Sequence, residues 1–201
     1  MLPKSFFNRS SVLVAQDLLG KILVRKLNGK VQKFKIIETE AYEGLDDKAS
    51  HASRGKTLRN APMFAEAGTI YVYFTYGIHY MLNIVCGPKG HPSAVLIRGI
   101  ALLNNSSSLA SLGPSLTTRE GKNHKQKQLN LIGPARLTKY LEIDKTLNNK
   151  KLGKSSGLWI ESPKLKIGNS KLKIIRTPRI GIDSSGPIWS QKLLRFVLVE
   201  K

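Results

Sequence analysis

The sequence predicts an α+β fold: a single domain in which a curved antiparallel β-sheet is flanked by a few helices. Three observations carry that expectation. Short runs rich in aromatic and β-branched residues recur along the 201-residue chain, helical spacing is confined to a few stretches, and the first two strand-like runs meet across Asn28-Gly29. That dipeptide is the strongest short-range mark of a two-residue hairpin. Hairpins of this kind, without strand–helix–strand alternation, point away from a doubly wound parallel sheet.

Taken in order, residues 12, 14, 15, 18 and 19 are apolar and fit a helix over Val12–Leu19, with Ser11 as its N-cap and Gly20 as its stop. Lys21–Leu27 alternates apolar and basic residues and should pair antiparallel with Val31–Glu40. Gly44 and Asp46-Asp47 then turn the chain, Gly68 breaks it again, and Thr69–Thr75 resumes a strand pattern. After Gly77 come strand-like His79–Val85, a Gly/Pro break and Val95–Ile100. The Ser-, Asn- and Lys-rich stretch that follows Leu102 has little periodicity, so a flexible insertion is expected at about 104–128. Gly133-Pro134 opens a helix through about Leu141, with Pro in the first turn where its missing N–H costs nothing. Short strands follow at Leu158–Glu161, Leu172–Arg176 and Leu194–Val199. No internal repeat or domain boundary interrupts the chain, and its length suits one domain spanning 1–201.

Charge narrows the partner. Thirty-three Lys and Arg against 13 Asp and Glu give a formal charge of +20, and self-repulsion makes so large an imbalance costly unless a polyanion balances it. The cations are spread along the chain rather than gathered on one amphipathic helix, which favours nucleic acid over an anionic membrane. No apolar run approaches the roughly 20 residues that cross a bilayer. The opening MLPKSFFNRS has no continuous apolar segment of a secretory signal, and the single Cys86 can form no internal disulfide. A cytoplasmic protein whose partner is DNA or RNA is expected.

Chemistry concentrates between Ile36 and Asn83. Glu38 and Glu40 close an apolar run and share a face under period-two alternation, with one of them expected at the exposed rim of the sheet. His51, Arg54 and Arg59 follow in a loop, and then Tyr71, Tyr73 and Tyr76. Four scattered His and one Cys match no zinc spacing, so no metal is expected. There is no phosphate-binding P-loop, dinucleotide fingerprint or nucleophile elbow, and no cofactor is implied. What remains is carboxylate chemistry, in which a Glu beside a cation (Arg54, Arg59 or Arg98) deprotonates a water. The opposing reading is a non-catalytic basic RNA- or DNA-binding protein whose tyrosines stack on exposed bases.

Several motifs then occur together and in order: ETEAY, D-x-A-S-H-A-x-R-G-x-T-x-R-N-x-x-M-F, G-T-I-Y-V-Y-x-x-Y-G and L-I-R, framed by LLG-K-x-L-V-R, R-x-G-I and a closing LLRF. In these the chain resembles the alkyladenine (3-methyladenine) DNA glycosylase family over most of its length. It departs in the insertion after Arg98 and in His79, where relatives often carry an aromatic. Those differences bear on reach along DNA rather than on chemistry.

The resemblance implies base excision from double-stranded DNA by a cofactor-free monomer: a damaged purine is flipped out, its N-glycosidic bond is hydrolysed, and an abasic site remains. It makes Glu40 the general base and Arg98 its partner at the water. Tyr42, His51 and Tyr73 become the walls of the base pocket, Asn83 the residue that crowds the exocyclic amine of guanine, and Tyr76 the wedge that fills the gap in the duplex. Cation–π attraction in such a pocket, about 0.5–2 kcal/mol, would favour a charged 3-methyladenine-like base over a neutral one. Taken singly, each residue has a plainer reading. Glu40 also fits a surface ion pair, the tyrosines fit core or hairpin-end aromatics, and Arg54 and Arg59 fit backbone contacts to DNA and loop bracing equally well.

Overall fold

The structure, a computed structural model, describes residues 1–103, 130–163 and 172–200. The insertion expected at 104–128 lies outside them. The fold is α+β around a curled antiparallel sheet. It starts from the hairpin of β1 (Ile22–Leu27) and β2 (Lys30–Glu43), whose turn residues Asn28 and Gly29 have φ of 48° and 77°. Two positive φ values define the turn whose twist matches paired strands, and Asn-Gly adopts them most readily.

The remaining strands are β3 (Ile70–Thr75), β4 (His79–Val85), β5 (Ser93–Leu102), β6 (Asn130–Ile132), β7 (Leu158–Glu161), β8 (Leu172–Thr177) and β9 (Arg195–Glu200). Their main path runs β3-β4-β5-β2-β1-β7, with β6 on β5, β9 on β2 and β8 on β9. Fourteen residues long, β2 is the spine. Its first half pairs with β1, and its second half pairs with β9 where β1 has ended. It runs three residues past the expected end at Glu40, because Ala41, Tyr42 and Glu43 continue the ladder against Val95, Ala94 and Ser93.

One irregularity in the β2–β5 ladder positions the site. Ile36 pairs with Ile100 and Thr39 with Ile97, with register shifts on either side of Glu38. Ile36, Ile97 and Ile100 all lie in the main hydrophobic cluster, and the Thr39 hydroxyl donates to the Ala15 carbonyl at 2.8 Å. In both strands, therefore, the core-facing residues on either side of the break are three apart rather than two. A regular strand would have continued the Phe34–Ile36 face into Glu38 and Glu40. The break instead turns those carboxylates away from the core, with Gly99 opposite Glu38 and Leu96 opposite Glu40. Gly99 is required there, since a Cβ would sit 2.9 Å from the Cβ of Glu38 and 3.2 Å from its Oε2.

The core face is covered by α2 (Ser11–Leu18), which buries Val14, Ala15 and Leu18. The N-cap is Ser10, whose hydroxyl accepts from the Val12 amide at 3.2 Å, and not Ser11 as its sequence suggested. Ser11 is taken by Glu43, which accepts from both its amide and its hydroxyl. Short α1 (Lys4–Phe7) adds Phe7 to the core. On β4, α3 (Pro134–Tyr140) buries Leu137 and ties down through the Thr138 hydroxyl, which donates to the Tyr80 carbonyl at 2.8 Å. The last helix, α4 (Pro187–Gln191), is a single turn before β9. Each fully buried aliphatic or aromatic side chain contributes roughly 1.5–3 kcal/mol to holding these layers together. Among the described residues no helix is long and apolar enough to cross a membrane.

Candidate active site

The face turned outward by the β2–β5 break opens into a cavity of about 640 Å³. Strands β2 to β5 form its base, and the loops 48–54 and 180–185 and the start of α3 complete the wall. Glu40 sits in it with no exposed surface, and Glu38 is 2% exposed. Neither carboxylate is at an exposed rim, contrary to the expectation from sequence, because β9 and the 179–182 segment close over the half of β2 that β1 leaves uncovered.

Each Glu40 oxygen has a fixed partner. The Ile180 amide donates to Oε1 at 2.9 Å, the Tyr42 hydroxyl donates to Oε2 at 2.9 Å, and Arg98 Nε stands 3.4 Å from Oε1. A carboxylate offers about four acceptor positions, so this arrangement leaves room for a water's O–H. Arg98 is itself oriented by Glu38, whose Oε1 accepts from Arg98 Nε at 3.1 Å and from Arg195 Nε at 2.6 Å. Arg195, Glu38, Arg98 and Glu40 thus form a chain of alternating charge, in which every buried ion has a partner.

Burial raises the Glu40 pKa above its ordinary value, and Arg98, the Ile180 amide and the Tyr42 hydroxyl oppose that rise. Glu40 is therefore a stronger base than a surface carboxylate while still stabilised as an anion by two hydrogen-bond donors and the Arg98 charge. As pH falls through this raised pKa the carboxylate is lost, so single-turnover activity should decline on the acid side at a pH above that of an ordinary Glu. A rate that stays flat down to pH 4 would exclude Glu40 as the titrating base.

The aromatic residues named from sequence come together around this carboxylate. His51 and Tyr73 meet edge to face with ring centroids 4.3 Å apart, and Tyr71 lies 5.4 Å from Tyr73. His51 Nδ1 shares a 3.0 Å hydrogen bond with the Tyr71 hydroxyl. Enclosure by its neighbours, and then the charge of Arg59, lower the His51 pKa, so the ring is neutral at neutral pH. Burial pushes the Tyr73 hydroxyl up to about 12. Asn83 is buried, and its Nδ2 donates to the carbonyls of Tyr71 and Met81, each at 3.3 Å.

Tyr76 is not a strand residue. It occupies the β3–β4 turn at φ 52° with 82% of its surface exposed, which removes the reading of a core tyrosine at the hairpin end. The remaining cations separate. Of the three arginines named from sequence, Arg98 reaches the carboxylates, whereas Arg54 lines the cavity. Arg59 donates from Nη2 to the Phe74 carbonyl at 2.8 Å, bracing the end of β3.

Asp47, Arg179 and the Ile180 amide complete the site, and none of the three stands out from its local sequence. Asp47 and Arg179 form a buried two-pronged ion pair at 2.6 and 2.8 Å, and Arg179 also donates to the Ala41 carbonyl at 2.9 Å. This pins the 179–182 segment to β2 and so aims the Ile180 amide at Glu40. The signal was present in the D-x-A-S-H and R-x-G-I motifs, which begin with Asp47 and Arg179, but nothing local links residues so far apart in the chain.

The sequence profile of the methylpurine-DNA glycosylase family matches residues 5–201. The chain belongs to that family. Proteins provisionally named 3-methyladenine DNA glycosylases resemble it along nearly their whole length. One from Psychrobacter cryohalolentis is 42% identical over 199 residues, covering 96% of this chain and 89% of its own. Another from Methanocella arvoryzae is 39% identical over 186 residues, covering 92% and 86%. A third, from Clostridium perfringens, is 40% identical over 183 residues, covering 90% and 88%. The methylpurine-DNA glycosylase family is one of hydrolases acting in DNA repair, and membership in it sets aside the reading as a non-catalytic nucleic-acid binder.

Proposed function

We propose that this glycosylase flips alkylated or deaminated purines, 3-methyladenine-like bases and hypoxanthine among them, out of duplex DNA and hydrolyses the N-glycosidic bond with a water activated by Glu40. What supports this above all is a fully buried carboxylate, held by two hydrogen-bond donors and an arginine, in the wall of an aromatic-lined cavity large enough for a purine. Glu40 takes a proton from the water as its oxygen attacks C1′. The C1′–N bond breaks, and its electron pair leaves with the base. A purine already alkylated on a ring nitrogen departs as a neutral molecule, which lowers the barrier before any protein group acts.

Arg98 would orient the water and stabilise the Glu40 anion. Tyr42 would cover one face of the flipped base, with His51 and Tyr73 on the other. Asn83, held by two hydrogen bonds, cannot swing aside and would exclude bases that project toward it. Tyr76, exposed at a tight turn, would enter the gap left in the stack. The +20 charge would hold the duplex through its phosphates, with Arg54 at the cavity and Arg59 bracing the loop.

The test is a duplex carrying a single hypoxanthine or 3-methyladenine, incubated with the protein and then with alkali to cleave at abasic sites. Hot-alkali strand breaks at the lesion are expected, and none before alkali. Lys48, the described lysine at the cavity, is exposed rather than enclosed beside Glu40, so an amine nucleophile forming a Schiff base lacks the apolar setting it needs. Borohydride should accordingly trap no protein–DNA adduct. A trapped complex, lost on substitution of one lysine, would overturn the hydrolytic mechanism.

A further inference from the structure

Two of the tyrosines in the cavity wall, Tyr42 and Tyr73, each already carry a cation. The Arg179 guanidinium lies 4.7 Å from the centroid of the Tyr42 ring, and that of Arg59 lies 5.9 Å from the centroid of Tyr73. Tyr42 and Tyr73 line the cavity, whereas neither arginine does, so both guanidinium groups approach from outside the space a base would fill. The two are not equivalent. Asp47 neutralises Arg179, but among the described residues no carboxylate pairs with Arg59.

We propose that Arg59 sets the charge preference of the base pocket: by holding an unpaired positive charge behind Tyr73, it disfavours cationic alkylated purines relative to neutral damaged purines. This rests on the reading of the cavity as a pocket for a flipped base. The negative face of an aromatic ring attracts one cation. A second cation arriving on the opposite face meets a field already partly cancelled, together with direct repulsion from the first. A neutral base keeps its dispersion and stacking contacts on the same ring and pays neither penalty. Arg59 also acts on His51, the neighbour of Tyr73 in the same wall, since its charge helps to lower the pKa of that ring and keeps the wall from becoming cationic. Cationic lesions would then be released because they are good leaving groups, while the pocket itself is tuned for uncharged ones. The cation–π preference expected from the aromatic composition alone is thereby weakened by a residue outside the pocket.

Arg59 acts through Tyr73, so its test must separate charge from bracing. Single-turnover release is measured for the parent, Arg59→Gln and Arg59→Lys on duplexes carrying either hypoxanthine, which is neutral, or 3-methyladenine, which is cationic in DNA. Gln retains a donor for the Phe74 carbonyl and loses the charge; Lys retains the charge. The expected result is a rise of about two- to fivefold in the cationic-to-neutral rate ratio for Arg59→Gln, with the parent ratio kept in Arg59→Lys. Equal losses on both lesions, or equal shifts in the two variants, would reduce Arg59 to a brace and overturn the proposal. Release of neither base by the parent would instead refute the reading of the pocket on which it rests.

Discussion

Glu40→Gln is expected to slow base release by at least about a hundredfold while binding to lesion-containing or abasic duplex is retained, the lower bound being what one general base usually contributes. Gln keeps the shape. Its amide oxygen can still accept from the Ile180 amide, and its amide nitrogen can donate to the Tyr42 hydroxyl, so the 179–182 segment and the aromatic wall should stay in place. What it cannot do is accept the water's proton.

A stability measurement separates catalysis from scaffolding. The fold raises the Glu40 pKa, so it favours the neutral carboxyl, and the cost of burying the anion appears as pH rises through that raised value. The Gln variant should therefore match the parent at acid pH and be at least as stable at neutral pH. Turnover within tenfold of the parent, or a large loss of stability at neutral pH, would show that Glu40 serves the scaffold instead.

The largest effect on stability is expected at the Asp47–Arg179 pair. Both side chains are fully buried, Arg179 Nε has no partner, and Asp47→Ala would leave the guanidinium charge without its carboxylate, held only by the Ala41 carbonyl. Breaking a buried pair from one side costs about 3–5 kcal/mol, or roughly 6–20 °C in Tm for a chain of this size. Base release should fall as well, because the clamp that aims the Ile180 amide at Glu40 is gone. Combining Asp47→Leu with Arg179→Met removes both charges and should recover stability relative to Asp47→Leu alone, though not activity. Denaturant unfolding of the single and double variants measures this. A loss under about 1 kcal/mol for Asp47→Ala would mean that the loops on either side of the pair are held by other contacts.

Much of this protein is legible without its structure. The Asn28-Gly29 turn, the strand-like runs over 79–85 and 158–161, and Pro134 in a first helical turn placed those elements within a residue or two, because turn chemistry and strand-forming composition are properties of adjacent residues. The motifs also single out Glu40, Arg98, Tyr42, His51, Tyr73 and Asn83, and the fold brings all six to the lining of one cavity. Sequence alone also fixed the excess of positive charge.

The burial of Glu40, the orientation of its lone pairs and the electrostatics of the pocket were decided elsewhere. The face on which Glu38 and Glu40 lie depends on a break shared by β2 and β5, whose partners are some 60 residues apart, as Glu38 and Arg98 are. The donor on Glu40 Oε1 comes from 140 residues away, and the clamp that places it joins residues 132 apart. Local periodicity can report which residues share a strand face, but not where two strands break step together. Nor can it report which distant loop closes over them, because those contacts exist only once the sheet has curled and its two ends have met.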